Sequence, residues 1–299
     1  MAAIPAAAPG HGPAGAVRGA LSDAEFTQFR RFLYEATGIS LASTKKALVF
    51  GRLSRRLQAC GLTRYSDYLR LLQGGKHPGE VQMAIDLLTT NETYFFREPR
   101  HFEQLRLLAQ QHAGATPFRV WSAACSSGEE VYTIAMVLAD TLGERPFEVL
   151  GTDISQRMLE RARTGHYSQF RARHIPPQYL KRFCLKGHAE QAATILISRA
   201  LRSRVRFAPV NLNAALPRLG PFDAIFLRNV MIYFTDDTKR AVIARVLQQL
   251  KPGGHLFVGH SESLLGLSAE LAHAGPAQYR RIRAQEAPPR GLPGLARVT

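Results

Sequence analysis

Four scarcities limit what this chain can be. It has three cysteines in 299 residues, Cys60, Cys125 and Cys184, far apart and without CxxC spacing. That argues against a disulfide framework or a zinc site and fits a reducing cytoplasm. No metal is expected. No run of ~18 apolar residues exists, so no membrane span is expected. The N-terminus is rich in Ala, Pro and Gly and lacks a basic segment before a compact apolar core, so it does not read as a secretory signal. Acidic residues are few, 23 against 39 Lys and Arg, leaving a net charge of +16. Such an excess implies an acidic partner: nucleic acid, an anionic membrane face or an acidic protein surface. Composition alone does not choose among them.

What is present is enough for about two domains with a large core. Residues 1–20 and 286–299 are low in complexity and read as disordered tails. Order begins at Ser22, which forms a capping-box pattern with Glu25; Gly38 ends the helix that follows. A second helix is predicted over residues 43–59. Val49, Leu53 and Leu57 share its apolar face, while Lys45, Arg52, Arg55 and Arg56 cluster beside it. No acidic residue lies between Ala36 and Ser66, so these cations have no local partners. They form either a solvated basic face or a docking surface for an acidic helix or phosphates. Helices over 65–72 and 80–88 complete a helical domain at 21–90. Residues 91–112 read as a linker containing a connecting helix.

Beyond it, strand and helix alternate, the pattern of an α/β domain over 113–285. Strands are predicted at 118–121, 147–153, 223–227 and 255–259, and an antiparallel edge strand at 278–282. The helices fall at 129–142, after Ser155, and from Asp236 to Leu250, where Lys251-Pro252-Gly253-Gly254 stops the last of them. Residues 183–208 are too long for an ordinary crossover and read as an inserted β-subdomain.

The chemistry gathers around residues 120–132, VWSAACSSGEEVY. An apolar strand, a turn of small residues and a helix start make a nucleotide-binding corner, with free N–H groups at the helix start. GxGxxG is missing, which disfavours a dinucleotide. Asp153 ends the next strand, 25 positions after Gly128, where an acid accepts ribose hydroxyls; it could otherwise cap the helix that follows. Ser126 with Glu129 and Ser127 with Glu130 fit capping boxes. A ligand with ribose and no diphosphate points to S-adenosylmethionine.

TTNETYFFREP, WSAACSSGEEVYTIAM, GTDIS and RNVMIYF, in this order, resemble the chemotaxis receptor glutamate methyltransferase family (CheR) over about residues 22–283. The resemblance implies a helical receptor-docking domain followed by a Rossmann-like S-adenosylmethionine-dependent methyltransferase domain with a small inserted β-ribbon. It implies esterification of glutamates on acidic, helical, cytoplasmic chemoreceptor domains. Cofactor contacts carry over to Asn91, Thr93, Arg97, Glu129, Asp153, Asn211, Leu212, Arg228 and Asn229. Arg97 and Tyr233 take catalytic places, and Lys45, Arg52, Arg55 and Arg56 fall on the docking helix. The insert lacks the Gly-rich loop of members that bind a receptor tail peptide. A nucleic-acid methyltransferase is the rival suggested by the charge, but the chain has no Asn-Pro-Pro-aromatic tetrapeptide and no cysteine dyad. A module that senses S-adenosylmethionine without catalysis is the other alternative.

Overall fold

The computed structural model describes residues 20–114 and 116–283; apart from residue 20, the tails expected to be disordered lie outside them. The chain divides into two compact units, Met1–Thr90 and Asn91–Thr299. Among the described residues, no helix is long and apolar enough to cross a membrane.

The first unit is four helices: α1 Asp23–Thr37, α2 Lys46–Ala59, α3 Tyr65–Gln73 and α4 Pro78–Leu88. The capping box of α1 forms in full, with Ser22 and Glu25 each bonding the other's main chain, and Gly38 ends the helix at φ +77°. Proline sits at the start of α4, where its missing N–H costs nothing. Phe29, Leu33, Val49, Leu53, Leu57 and Tyr68 share one fully buried core, so the predicted apolar face of α2 is the face it buries.

The basic side of α2 differs from the expected free surface. Arg52 donates through Nη1 to the carbonyls of Leu88 and Thr89 at 3.1 and 3.0 Å, closing the end of α4. Arg56 pairs with Glu80, Nε to Oε1 at 2.7 Å, and Tyr68 donates to the same oxygen at 2.6 Å. The guanidinium bond from Arg56, opposed by burial, holds the Glu80 carboxyl below its ordinary value. Both arginines are therefore internal fasteners, paired across the helix bundle with groups distant in sequence. Lys45 and Arg55 are exposed.

The second unit begins with an extended segment and α5 Arg100–Gln111, then β1 Phe118–Ser122, α6 Glu129–Leu142, β2 Phe147–Asp153 and α7 Gln156–Thr164. Next come β3 His166–Ser168, α8 Gln169–Ala172, α9 Pro177–Phe183, β4 Cys184–Lys186, β5 Thr194–Ile197 and α10 Arg199–Arg202. The unit closes with β6 Val205–Pro209, β7 Phe222–Leu227, α11 Asp236–Leu247, β8 Leu250–Val258, β9 Leu271–Gly275 and β10 Gln278–Arg281.

Seven strands make the main sheet in the order β6-β2-β1-β7-β8-β10-β9. The first five are mutually parallel, and β10 runs antiparallel to both β8 and β9. Strand order reverses at β1, between β2 and β7. In doubly wound sheets that switch point opens the crevice where ligands bind, at the carboxyl ends of the strands.

Four expectations need correction. Residues 91–112 are no linker: Phe95, Phe102, Leu105 and Ala109 are buried in one cluster with Val120, Ile134 and Phe226. The inserted sheet is three strands, β3-β5-β4, so it reaches back to His166; Val205–Pro209 belongs to the main sheet, paired with β2. The sequence 251–254 does not separate helix from strand. It lies inside β8 at an irregularity opposite residues 222–224, where Pro252 needs no partner and Gly253 takes φ +79°. Finally, β10 is not the edge, because the weakly apolar β9 covers it.

Candidate active site

The corner between β1 and α6 is fastened to both neighbouring strands. Ala123 N–H donates to the Phe226 carbonyl at 2.8 Å and Cys125 N–H to that of Thr152 at 2.9 Å. Neither capping box forms. The helix cap is Gly128, left-handed at φ +93°, with no side-chain bond. A Cβ there would lie 2.8 Å from that of Ala162, so the small residue serves the packing of α7 as well as the turn. Ser126 and Ser127 are used elsewhere: Ser126 Oγ donates to the Asn91 carbonyl at 3.0 Å, and Ser127 Oγ to Glu129 Oε2 at 2.8 Å.

Asp153 sits 7% exposed at the end of β2. Its Oδ2 accepts from Ser126 N–H and its Oδ1 from Ser155 N–H, both at 2.8 Å. Ser155, not Asp153, caps α7. The carboxylate thus joins the corner to the β2 end. Val210 N–H donates to the Asp153 carbonyl at 3.1 Å, which brings Asn211 and Leu212 to the same edge.

Glu129 is completely buried, and its carboxylate is taken by Arg171, Nε to Oε1 at 2.6 Å, and by Ser127. Arg228, expected as a ligand contact, is committed as well. Its side chain is 1% exposed, between Glu98 at 3.1 Å and Glu130 at 3.0 Å. The guanidinium also lies over the Phe102 and Phe226 rings at 5.5 and 6.0 Å. Glu130 is fixed further by Ser122 Oγ at 2.7 Å. Burial raises the Glu130 carboxyl against the pull of Arg228. At Glu98 burial also pushes upward, but Arg228 and Asn229 outweigh it and hold the carboxyl low.

Asn229 has φ +58°, and its Nδ2 donates to Glu98 Oε1 at 3.3 Å. Glu262 holds the loop after β7, accepting N–H bonds from Asn229 and Met231 at 2.8 Å and from Gly259 at 2.6 Å. Tyr233 ends the short turn Met231–Tyr233 that this loop enters, and is half-buried. Arg97 is half-buried too; it donates one bond, Nη1 to the Glu92 carbonyl at 3.1 Å, and lies 5.6 Å from the Tyr94 ring centre. Thr93 is half-buried in the same segment.

Left-handed backbone gathers here. Phe96, Glu98, Ser126 and Asn229 all have φ between 48° and 58°. Each such non-glycine residue costs on the order of 1–3 kcal/mol and persists only where its surroundings impose it. Three segments distant in sequence thus carry strain to one crevice, and hydrogen bonds link Asn91, Arg97, Asp153, Arg228 and Asn229 across it.

Asp153 ends a strand in this crevice and is joined through Ser126 N–H to the corner that leads into α6. The family pattern for "CheR methyltransferase, SAM binding domain" matches residues 91–279, and that for "CheR methyltransferase, all-alpha domain" matches 24–89. The chain belongs to the CheR methyltransferase family. It is 44% identical to the chemotaxis protein methyltransferase of Escherichia coli over 87% of this chain and 91% of that one. It is 40% identical to chemotaxis protein methyltransferase 2 of Pseudomonas aeruginosa, over 85% of this chain and 92% of that one. Among solved structures, the N-methyltransferase NodS from Bradyrhizobium japonicum with S-adenosyl-l-homocysteine covers 73% of this chain and 97% of its own, at 17% identity and a TM-score of 0.37.

As the CheR family's cofactor domain, the second unit uses S-adenosylmethionine. The boundary between the two family domains coincides with the division at Thr90, inside the motif TTNETYFFREP. Sequence reasoning missed Glu98, Glu130, Glu262 and Arg171. Glu98 and Glu130 stood inside quoted motifs, but Arg228, the cation they share, lies far along the chain; Glu262 and Arg171 carried no local signal.

Proposed function

We propose that this methyltransferase esterifies glutamate side chains on acidic, helical, cytoplasmic domains of chemoreceptors, in the cytoplasm, for sensory adaptation. The observation that supports it is that five carboxylates of the crevice are committed: Glu98 and Glu130 to Arg228, Glu129 to Arg171, Asp153 and Glu262 to main-chain N–H groups. Among the described residues none of these carboxylates is therefore free to act as general base, and a glutamate substrate, ionised at neutral pH with a reference pKa of about 4.3, needs none. Hydroxyl and amine nucleophiles would.

Bound in the crevice, S-adenosylmethionine supplies an electrophilic methyl group on a sulfonium, which the substrate carboxylate accepts as opposite charges cancel. The chain's work is positioning. Asp153 takes ribose hydroxyls, with Asn211 and Leu212 beside it. The main chain at Arg228 and Asn229, held by Glu98 and Glu262, forms the opposite wall. Arg97, with four of its five donors unspent on Glu92, orients a carboxylate, and Tyr233 walls the reacting face. Asn91 and Thr93 close the edge near Ser126. Alignment in a dry site favours a step in which charge disappears.

Incubation with labelled S-adenosylmethionine and a receptor cytoplasmic fragment is expected to give label that mild base releases as methanol. Base-stable label, or label entering RNA, would defeat the reading.

Docking is assigned to the first unit, now through Lys45 and Arg55. Arg55→Glu is expected to raise the KM for receptor about 2–10-fold, as an exposed charge reversal does, and to leave cofactor affinity unchanged. Arg56→Glu is expected to lower stability instead, because it faces Glu80. An unchanged receptor KM in Arg55→Glu would remove α2 from the docking surface.

A further inference from the structure

A second cluster lies on the far side of Glu98. Glu98, His101 and His260 each bring one ligand-type atom within 4.8 Å of the others. Glu98 Oε2 lies 3.5 Å from His101 Nδ1 and 3.8 Å from His260 Nε2. We propose that these three residues form a binding site for a late first-row divalent cation, zinc first. The proposal does not rest on the methyl-transfer reading.

The first support is an unmet need. His101 is 2% exposed, yet neither ring nitrogen has a hydrogen-bond partner. Glu98 Oε2 meets Arg228 as an ion pair at 3.1 Å without a hydrogen bond. Buried polar atoms nearly always find partners, so a buried imidazole with two idle nitrogens calls for an explanation. A metal bond gives one nitrogen its use.

Spacing is the second support. Zinc bonds of about 2.0–2.1 Å in a tetrahedron place ligand atoms roughly 3.3 Å apart. The two measured separations to Glu98 exceed that by a few tenths of an ångström. The larger adjustment falls to His260, which is 52% exposed on its side chain and stacks edge-on to His101 at 5.2 Å between centroids. It is the ligand most able to move.

Access and charge complete the case. A cavity of about 510 Å³ is lined by His101, His260, Glu103 and Gln104. It gives an ion a route in and leaves room for water as a fourth ligand. Arg228 opposes a nearby cation, but it faces Glu98 and Glu130, and Glu262 joins the same network through Asn229. With Arg100 and Glu103 of the cavity wall included, four carboxylates against two guanidiniums leave the surroundings negative. Two imidazoles and one carboxylate select zinc, nickel or copper over magnesium and calcium. Because Arg228 shares Glu98, binding weaker than in a four-ligand structural site is expected.

The test is calorimetric titration of the untagged, purified chain with Zn²⁺ in a non-coordinating buffer, repeated with Co²⁺ while recording visible absorption. One ion per chain and the absorption bands of tetrahedral cobalt are expected. His260→Ala is expected to weaken binding at least about 10-fold and to remove the bands, with the far-ultraviolet circular dichroism unchanged. His260→Gln, closer in size to the native ring, should show the same loss. Absence of stoichiometric binding in the native chain, or equal affinity in both His260 variants, would overturn the site.

Discussion

Asp153→Ala is expected to lower affinity for S-adenosylmethionine about 10²–10⁴-fold, read by calorimetry. Two hydroxyl bonds to a carboxylate are lost, each contributing roughly 1.5–3 kcal/mol, and every 1.4 kcal/mol is tenfold. A second effect adds to the first. Asp153 also accepts the Ser126 and Ser155 N–H groups at 2.8 Å. With the carboxylate gone, the left-handed Ser126 loses the bond that holds it, and the corner relaxes. Asp153→Asn separates the two effects, since its one remaining oxygen supports one of those N–H groups. It is expected to bind more tightly than the alanine variant and more weakly than the native chain. A loss of less than tenfold in Asp153→Ala, with the fold intact by circular dichroism, would place the ribose elsewhere.

Arg228→Met is expected to be the most destabilising single change in the second unit. It leaves Glu98 and Glu130 buried without their cation. Breaking a buried pair by removing one partner costs about 3–5 kcal/mol, which in a domain of this size lowers Tm by roughly 6–20 °C. The pH dependence gives a signature beyond the size of the loss. In the native chain Arg228 holds the Glu98 carboxyl below its ordinary 4.5 against the opposing effect of burial. A carboxyl depressed on folding contributes stability that is complete above its unfolded pKa and disappears as pH falls through the folded one. Without Arg228 only Asn229 and His260 at Glu98, and Ser122 at Glu130, still oppose burial, and both carboxyls rise, as Glu130 already does. The variant should therefore regain stability relative to the native chain as pH falls from 7 toward 4, where protonation removes the stranded charges. Thermal melts across that range decide it; a deficit that does not shrink with acid would mean that Arg228 acts by packing alone.

The fold was largely legible because its signals are local. Glu129–Leu142 and Phe147–Asp153 stand at their predicted bounds, and the box of Ser22 and Glu25 forms as its spacing required. The misreadings share a different cause. Leu271–Gly275 has little strand character of its own and becomes a strand through β10. Residues 251–254 resemble a helix stop, but pairing with β7 draws them into β8. His166–Ser168 joins the inserted sheet only because β5 returns beside it.

In the crevice the residue types were legible and their duties less so. Asp153 stands where its strand end implied. Arg228 and Glu129 lie at the strand ends and the helix start, yet their side chains serve Glu98, Glu130 and Arg171, partners brought close by the sheet rather than by spacing. Arg52 and Arg56 lacked acids nearby in sequence, and α4 supplied their acceptors. Left-handed backbone at Phe96 and Glu98 leaves no mark in a side-chain pattern.

The burial of Phe95, Phe102, Leu105 and Ala109 with the sheet bears on how the chain can be divided and recombined. A seam at residue 113 would strip four core side chains from the catalytic half and leave them as a greasy tail on the helical one. The seam between Thr90 and Asn91 leaves each half with its own interior. Any exchange of the helical unit would have to join the halves there, in the middle of one short motif, so that Thr89-Thr90 travels with the helices and the asparagine beside it stays with the cofactor domain.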